Sequence, residues 1–194
     1  YHSFLKNSPH IRIASVRAGN VIGGGDWAEK RLVPDAIRAW ALQKSVMIRN
    51  PASTRPWQHV LEPLRGYLSV GQQLAENNLL HGESFNFGPL SDQVYSVEQI
   101  LNAIGDHWTS KMIHERMQVE GAPFHEAGLL KLSCEKANTF LKWWPVLDFQ
   151  QTAAFTAFWY SRFYTGGVDM YNITESQIQE YISLAVDKGL AWTR

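Results

Sequence analysis

The feature that most restricts the fold is a change of hydrophobic period across a glycine-rich joint. Residues 11–17 form a short run of branched apolar side chains, of strand length and strand composition. A glycine-rich loop at residues 19–25 follows at once. Residues 31–44 then carry Leu32, Val33, Ala36, Ile37, Trp40 and Ala41 at helical spacing, with Pro34 tolerable near the start. Strand, glycine loop and amphipathic helix in that order form the repeating unit of α/β folds.

The alternation continues along the chain. Residues 46–49 and 57–60 read as short strands around an irregular loop at 50–56. A helix opens near Glu62-Pro63, a favoured place for proline, and sets Leu64, Leu68 and Leu74 on one face. Residues 84–88 return to strand and end in Gly-Pro. Ser96 with Gln99 forms a capping box ahead of Ile100, Leu101, Ile104 and Trp108, and Thr174 with Gln177 repeats the signal before Ile178, Tyr181 and Ile182. Ser133 is placed to cap a helix reaching about Leu141. Residues 152–164 form an aromatic helix whose Phe155, Phe158, Trp159 and Phe163 suit packing better than cofactor binding. The expected class is α/β with a mixed periphery, without internal repeat, linker or clear internal boundary.

Composition narrows the function. A 45% hydrophobic fraction with 8 Trp, 9 Phe and 7 Tyr supplies a sizeable core. Equal numbers of cationic and anionic residues, 18 each, remove the electrostatic case for nucleic acid or an anionic membrane surface. The single cysteine, Cys134, excludes a disulfide framework and a multi-cysteine zinc site. No run approaches the roughly 18 apolar residues of a membrane span, and residues 1–10 lack the order of a secretory signal. A cytoplasmic, soluble protein is expected. The chain opens on Tyr1 rather than Met, and residues 1–6 read like the last turn of a helix, which marks a fragment.

Four clusters carry possible chemistry. The stretch from Arg17 to Trp27 lies beyond the carboxyl end of a strand, where open α/β sheets bind ligands. Its Asn20 offers both a donor and an acceptor, and its glycines permit close backbone approach to a ligand. A plain flexible connection explains the spacing equally well, and Gly23-Gly24-Gly25 is not the dinucleotide fingerprint. In the second cluster, Arg49 and Arg55 sit on a proline-stiffened loop with Trp57, suited to holding a diphosphate; the alternative is two solvated charges. Third, Asn86 at the end of a strand either reaches a ligand or caps the turn. In the fourth, His125-Glu126 lacks the second histidine of a zinc hydrolase because position 129 is leucine, and His114-Glu115 fails likewise at Gln118. Cys134 opens a helix, but without a partner histidine motif a structural role is expected.

In this order, these segments resemble the C-terminal part of the extended short-chain dehydrogenase/reductase family, within it the nucleotide-sugar 4,6-dehydratases. The resemblance rests on Arg17 to Trp27 running into Arg31-Leu32-Val33-Pro34-Asp35, on Ile48-Arg49-Asn50-Pro51, and on Arg55-Pro56-Trp57-Gln58-His59-Val60-Leu61-Glu62-Pro63. Asn86-Phe87-Gly88-Pro89, His125-Glu126-Ala127 and Trp143-Trp144-Pro145 extend it nearly end to end. It implies an incomplete Rossmann sheet plus the smaller substrate-binding region, NAD as cofactor of the complete enzyme, a nucleotide-sugar substrate and a full-length homodimer. The Trp57-Gln58-His59 string favours the CDP-sugar branch. By the same resemblance Asn20 contacts the sugar diphosphate and Arg55 the phosphates. Asn86, Arg49, His125 and Glu126 line the pocket, and Trp27, Arg31 and Leu32 lie near the base or ribose.

Two parts of the family pattern are missing. No glycine-rich NAD loop opens the chain, and no tyrosine is followed by lysine at the fourth position, as in the family's Tyr-x-x-x-Lys pair. The polypeptide alone is therefore expected neither to bind NAD tightly nor to turn over sugar. Another sugar epimerase or dehydratase of the family, and a non-catalytic nucleotide-sugar-binding or interaction module, remain as other readings.

Overall fold

The computed structural model describes residues 10–108, 116–120 and 132–193. The first strand, β1 (Ser15–Ala18), pairs in parallel with β6 (Ser84–Phe87), while β2 (Asn20–Ile22) pairs in parallel with β5 (Trp57–His59). Only Gly19 separates β1 from β2, and there the chain passes from one partner to the other. The Gly19 amide donates to the Phe87 carbonyl at 3.0 Å and the next amide, of Asn20, to the Pro56 carbonyl at 3.0 Å. A Cβ at position 19 would lie 2.6 Å from that Pro56 oxygen, so the crossing requires glycine. Two further ladders complete the strands: β3 (Val46–Ile48) with β8 (Met117–Val119), parallel, and β4 (Thr54–Arg55) with β7 (Tyr95–Ser96), antiparallel.

Helices α1 (Leu32–Ala41), α3 (Val97–Asp106) and α5 (Phe149–Thr165) close over one core, built on Ile37, Trp40, Ile100, Leu101, Ile104 and Tyr160. A second core joins β6 to α2 (Leu61–Glu76) and α4 (Glu135–Leu141) through Phe85, Phe87, Val70 and Trp143. A third seats α6 (Met170–Asp187) by Tyr181 and Ala185 against Val146, Leu147 and Phe155. The α/β class is as the sequence indicates, and the Ser96–Gln99 capping box forms in full at the head of α3.

Several local expectations are corrected. The strand begins at Ser15, and Ile11 and Ile13 are 48% and 40% exposed, because among the described residues β1 is flanked by β6 alone. The glycine-rich stretch contains β2, since Asn20 to Ile22 find a partner in β5. The loop at 50–56 likewise contains β4. Of the leucine stripe of α2, Leu64 and Leu68 are 46% and 76% exposed while Leu74 packs, partly buried, against the second core; Glu62, Pro63, Arg65, Gly66 and Val70 are the buried face. Thr174 caps nothing: α6 starts earlier, capped by Asp169, and the Thr174 hydroxyl donates back to the Met170 carbonyl at 2.8 Å. Cys134 rather than Ser133 is the N-cap of α4, without a side-chain capping bond. Helix α5 starts before Thr152 because Asp148 and Gln151 form a second capping box.

Candidate functional site

Where the chain swings from β1 to β2, a cleft opens. Its first cavity, of ≈ 580 Å³, is walled by Gly19, Asn20, Lys30, Arg31, Leu32 and Pro34. A second, of ≈ 940 Å³, lies against Arg55, Gly88, Ser133, Lys142, Trp143 and Trp144. Pro56 and Leu132 line both, so the two form one elongated cleft pinched at Pro56. Such a crevice beyond strand ends, where strand order changes, is the usual ligand position in open α/β sheets. Lys30 and Arg31 in one cavity and Arg55 and Lys142 in the other outnumber the acidic Asp26 and Glu135, so an anion with an extended body suits it.

Of the residues singled out from sequence, Asn20, Arg31 and Leu32 line the first cavity and Arg55 the second. Asn20 is positioned by β2 and by the hydrogen bond its backbone N–H donates to the Pro56 carbonyl, and Arg31 immediately precedes α1, 3.5 Å from the Asp26 carboxylate. Arg55 sits in β4, its Nη1 donating to the Thr54 carbonyl at 2.8 Å. Asn86 borders neither cavity: its amide donates to the Ser133 carbonyl at 3.0 Å and its oxygen accepts from Arg17 Nε at 3.3 Å. Arg49 is exposed just after β3 and also lies outside both cavities. Trp27 joins an aromatic cluster with Trp159, Tyr160 and Phe163, ring centroids 6.4, 5.3 and 4.8 Å away. His125 and Glu126 lie outside the described residues, as does the stretch 1–6.

The glycines serve the protein's own packing. A Cβ on Gly24 would come within 2.0 Å of the Trp159 ring, and one on Gly23 within 2.8 Å of Val60. Tyr160 ties the same loop down by donating to the Asp26 carbonyl at 2.6 Å; burial, with the Asp26 charge beside it, pushes this phenol up to about 12. The loop is thus packed from behind by α5, while Gly19 and Gly23 border the first cavity on its other side. Cys134 lines the second cavity, and burial pushes its thiol up to about 11, which keeps it protonated and unreactive.

Behind the cleft, Gln58 and His59 of β5 are buried. Gln58 Nε2 donates to the Phe87 carbonyl at 2.7 Å and so ties β5 to β6 beneath the pinch. His59 Nδ1 accepts from the Leu61 amide at 3.4 Å, and Nε2 has no partner among the described residues. Burial lowers this imidazole to about 4, so it is neutral at working pH and unsuited to proton transfer there. The unfolded imidazole takes up its proton near the ordinary 6.5 and the folded one only near 4; stability is therefore lost as pH falls through that window. The full loss is about 3 kcal/mol. Glu62, raised by burial, acts in the opposite sense above its ordinary 4.5, so the comparison must be differential. Denaturant titrations at pH 7 and pH 4.5 are expected to show the wild type losing more stability on acidification than His59→Phe. Parallel losses would refute the assignment.

Sequence reasoning passed over Asp26 and Lys30 as site residues. Lys30 adopts a left-handed backbone, φ 61°, at the cavity wall, a conformation that its side-chain type gives no sign of.

No protein-family model matches the chain. It is 42% identical over 173 residues to the CDP-glucose 4,6-dehydratase of Salmonella typhimurium, a match covering 89% of this chain and 47% of that protein. The chain thus spans about half the length of the curated relative it matches. Among solved structures, UDP-glucuronic acid 4-epimerase from Bacillus cereus, in complex with UDP-glucuronic acid and NAD, superposes with a TM-score of 0.65 at 17% identity. That match covers 78% of this chain and 46% of that one. The dTDP-glucose 4,6-dehydratase from Bacillus anthracis, in complex with NAD, gives 0.59 at 16% identity over 76% of this chain and 44% of that one. These two likenesses concern the fold alone.

Proposed function

We propose, from the premise that this chain belongs with the nucleotide-sugar epimerases and dehydratases of the extended short-chain dehydrogenase/reductase family and forms the C-terminal part of such a fold, that its cleft binds CDP-glucose. The supporting observation is the pinch at Pro56, with Asn20 on one side and Arg55 on the other. A nucleoside diphosphate sugar has the same plan: two bulky ends joined by a charged waist. In this reading the cytidine end enters the first cavity near Arg31 and Leu32. The diphosphate crosses between Asn20 and Arg55, and the sugar enters the second cavity. A guanidinium can hold phosphate oxygens with two parallel bonds, which fixes orientation as well as charge.

The activity that fits is 4,6-dehydration of CDP-glucose to CDP-4-keto-6-deoxyglucose and water by the complete enzyme. NAD supplies hydride acceptance and return in that chemistry. The sequence carries no dinucleotide fingerprint of glycines, so no residue of this chain is assigned to the cofactor. The contribution of this chain is to bind and orient the nucleotide sugar. The polypeptide by itself is expected to leave CDP-glucose unconverted when the mixture is followed by chromatography. A cytoplasmic location and a homodimer belong to the same reading; among the described residues no helix is long and apolar enough to cross a membrane.

Calorimetric titration with CDP-glucose tests the binding claim. Arg55→Ala is expected to weaken affinity about 10- to 100-fold, the loss of one charge-assisted contact of ~1.5–3 kcal/mol. Unchanged affinity in that variant, or equal preference for UDP-glucose and CDP-glucose in the wild type, would refute the assignment.

A further inference from the structure

The second cavity owes one wall to Trp143, Trp144 and Pro145, a stretch between α4 and α5 without regular secondary structure. Its backbone is held from behind by side chains. Glu62 Oε1 accepts the amides of Val146 at 2.9 Å and Leu147 at 2.7 Å. Arg65 Nη2 donates to the Trp144 carbonyl at 2.6 Å, and its guanidinium lies 5.1 Å from the centre of the Trp143 ring. Tyr181 of α6 completes the set: its hydroxyl donates to Glu62 Oε2 at 2.9 Å and accepts from Arg65 Nε at 3.1 Å. All three side chains are buried.

A buried ionic network is a poor way to gain stability, since apolar side chains of the same volume commonly do as well; its attested advantage is a fixed geometry. The geometry fixed here is that of the cleft. Glu62 and Arg65 stand in the first turns of α2, which follows β5 directly, and β5 carries Trp57, which lines the first cavity. The Val60 amide donates to the Ile22 carbonyl at 2.8 Å, so the start of this helix is also tied to β2. The start of α2 is thus joined to the linings of both cavities.

We infer that Glu62, Arg65 and Tyr181 are positioning residues that set the Trp143–Trp144–Pro145 wall, and through it the affinity for the glycosyl end of the ligand. The inference rests on the CDP-glucose reading above. None of the three lines the cavity, so they act through the wall rather than by touching the ligand.

The test compares two ligands on the protein at the length its gene encodes: CDP-glucose, which fills both cavities, and CMP, which lacks the outer phosphate and the sugar. Tyr181→Phe removes the hydroxyl that bridges Glu62 and Arg65 while keeping the ring. It is expected to weaken CDP-glucose binding about tenfold and to leave CMP within about twofold. Trp144→Ala changes the wall itself at a half-exposed side chain, so the fold does not depend on it; it should reproduce the selective loss. Equal losses for both ligands in Tyr181→Phe would mean a merely structural role and overturn the inference, as would no loss for either. Failure of the wild type to bind CDP-glucose at all would sink the functional reading along with it. Wild-type binding without selectivity in the variants would sink the inference alone.

Discussion

Glu62→Ala is expected to lower the stability of the fold by about 3–5 kcal/mol, the cost typical of removing one partner from a buried charge pair. The carboxylate is 1% exposed and takes three hydrogen bonds, from the Val146 and Leu147 amides and the Tyr181 hydroxyl. With it gone, Arg65 keeps its charge in a buried position and three donors lose their acceptor. Truncation is far worse than neutralisation here. Glu62→Gln retains one carbonyl oxygen for the backbone amides and relieves the burial that raises the carboxyl above its ordinary range. The expected order of urea midpoints is wild type, then Glu62→Gln, then Glu62→Ala well below both. A Glu62→Ala midpoint within error of wild type would show that the network carries no stabilising weight.

Trp40→Ala is the second large effect, again about 3–5 kcal/mol. The ring is fully buried in the core of α1, α3 and α5, with Trp108 at a centroid distance of 6.3 Å. Its Nε1 donates to the Arg116 carbonyl at 2.9 Å, and Arg116 in turn donates to the Asn102 carbonyl at 2.9 Å. Alanine leaves a cavity and removes one of two hydrogen bonds to the Arg116 carbonyl, which keeps the Val46 amide at 3.1 Å. Trp40→Phe separates the two contributions: it keeps most of the packing and loses the N–H, so about 1–2 kcal/mol is expected. Equal losses in the two variants would place the whole effect in the hydrogen bond rather than in packing.

What the sequence discloses and what it hides divide along local and non-local lines. The capping box of α3 is a four-residue signal and is legible at once. The one at Asp148–Gln151 is equally local and equally legible, yet the aromatic run that follows draws attention to itself and puts the helix start too late. Thr174–Gln177 shows the reverse error: the right letters occur inside a helix that Asp169 has already capped. In α2 the leucine stripe and the buried stripe compete, and burial goes to the face carrying Glu62 and Arg65. Their partners lie on a segment about eighty residues on and on α6, beyond the reach of periodicity. The glycine loop is legible as a place where backbones approach closely. What approaches is Trp159, from the far end of the chain. Asn20 and Arg55 stand 35 positions apart in sequence and flank the same proline only because β2 pairs with β5.

The central claim is that one ligand lies across the pinch at Pro56, and a crystal structure of the protein with CDP-glucose bound tests it most directly. The account predicts the diphosphate between Asn20 and Arg55, the cytidine beside Arg31 and Leu32, and the glucose against Trp143 and Trp144. A nucleotide sugar confined to one side of Pro56, or seated instead in the ≈ 370 Å³ hollow between α5 and α6 near Phe158 and Gln177, would contradict it.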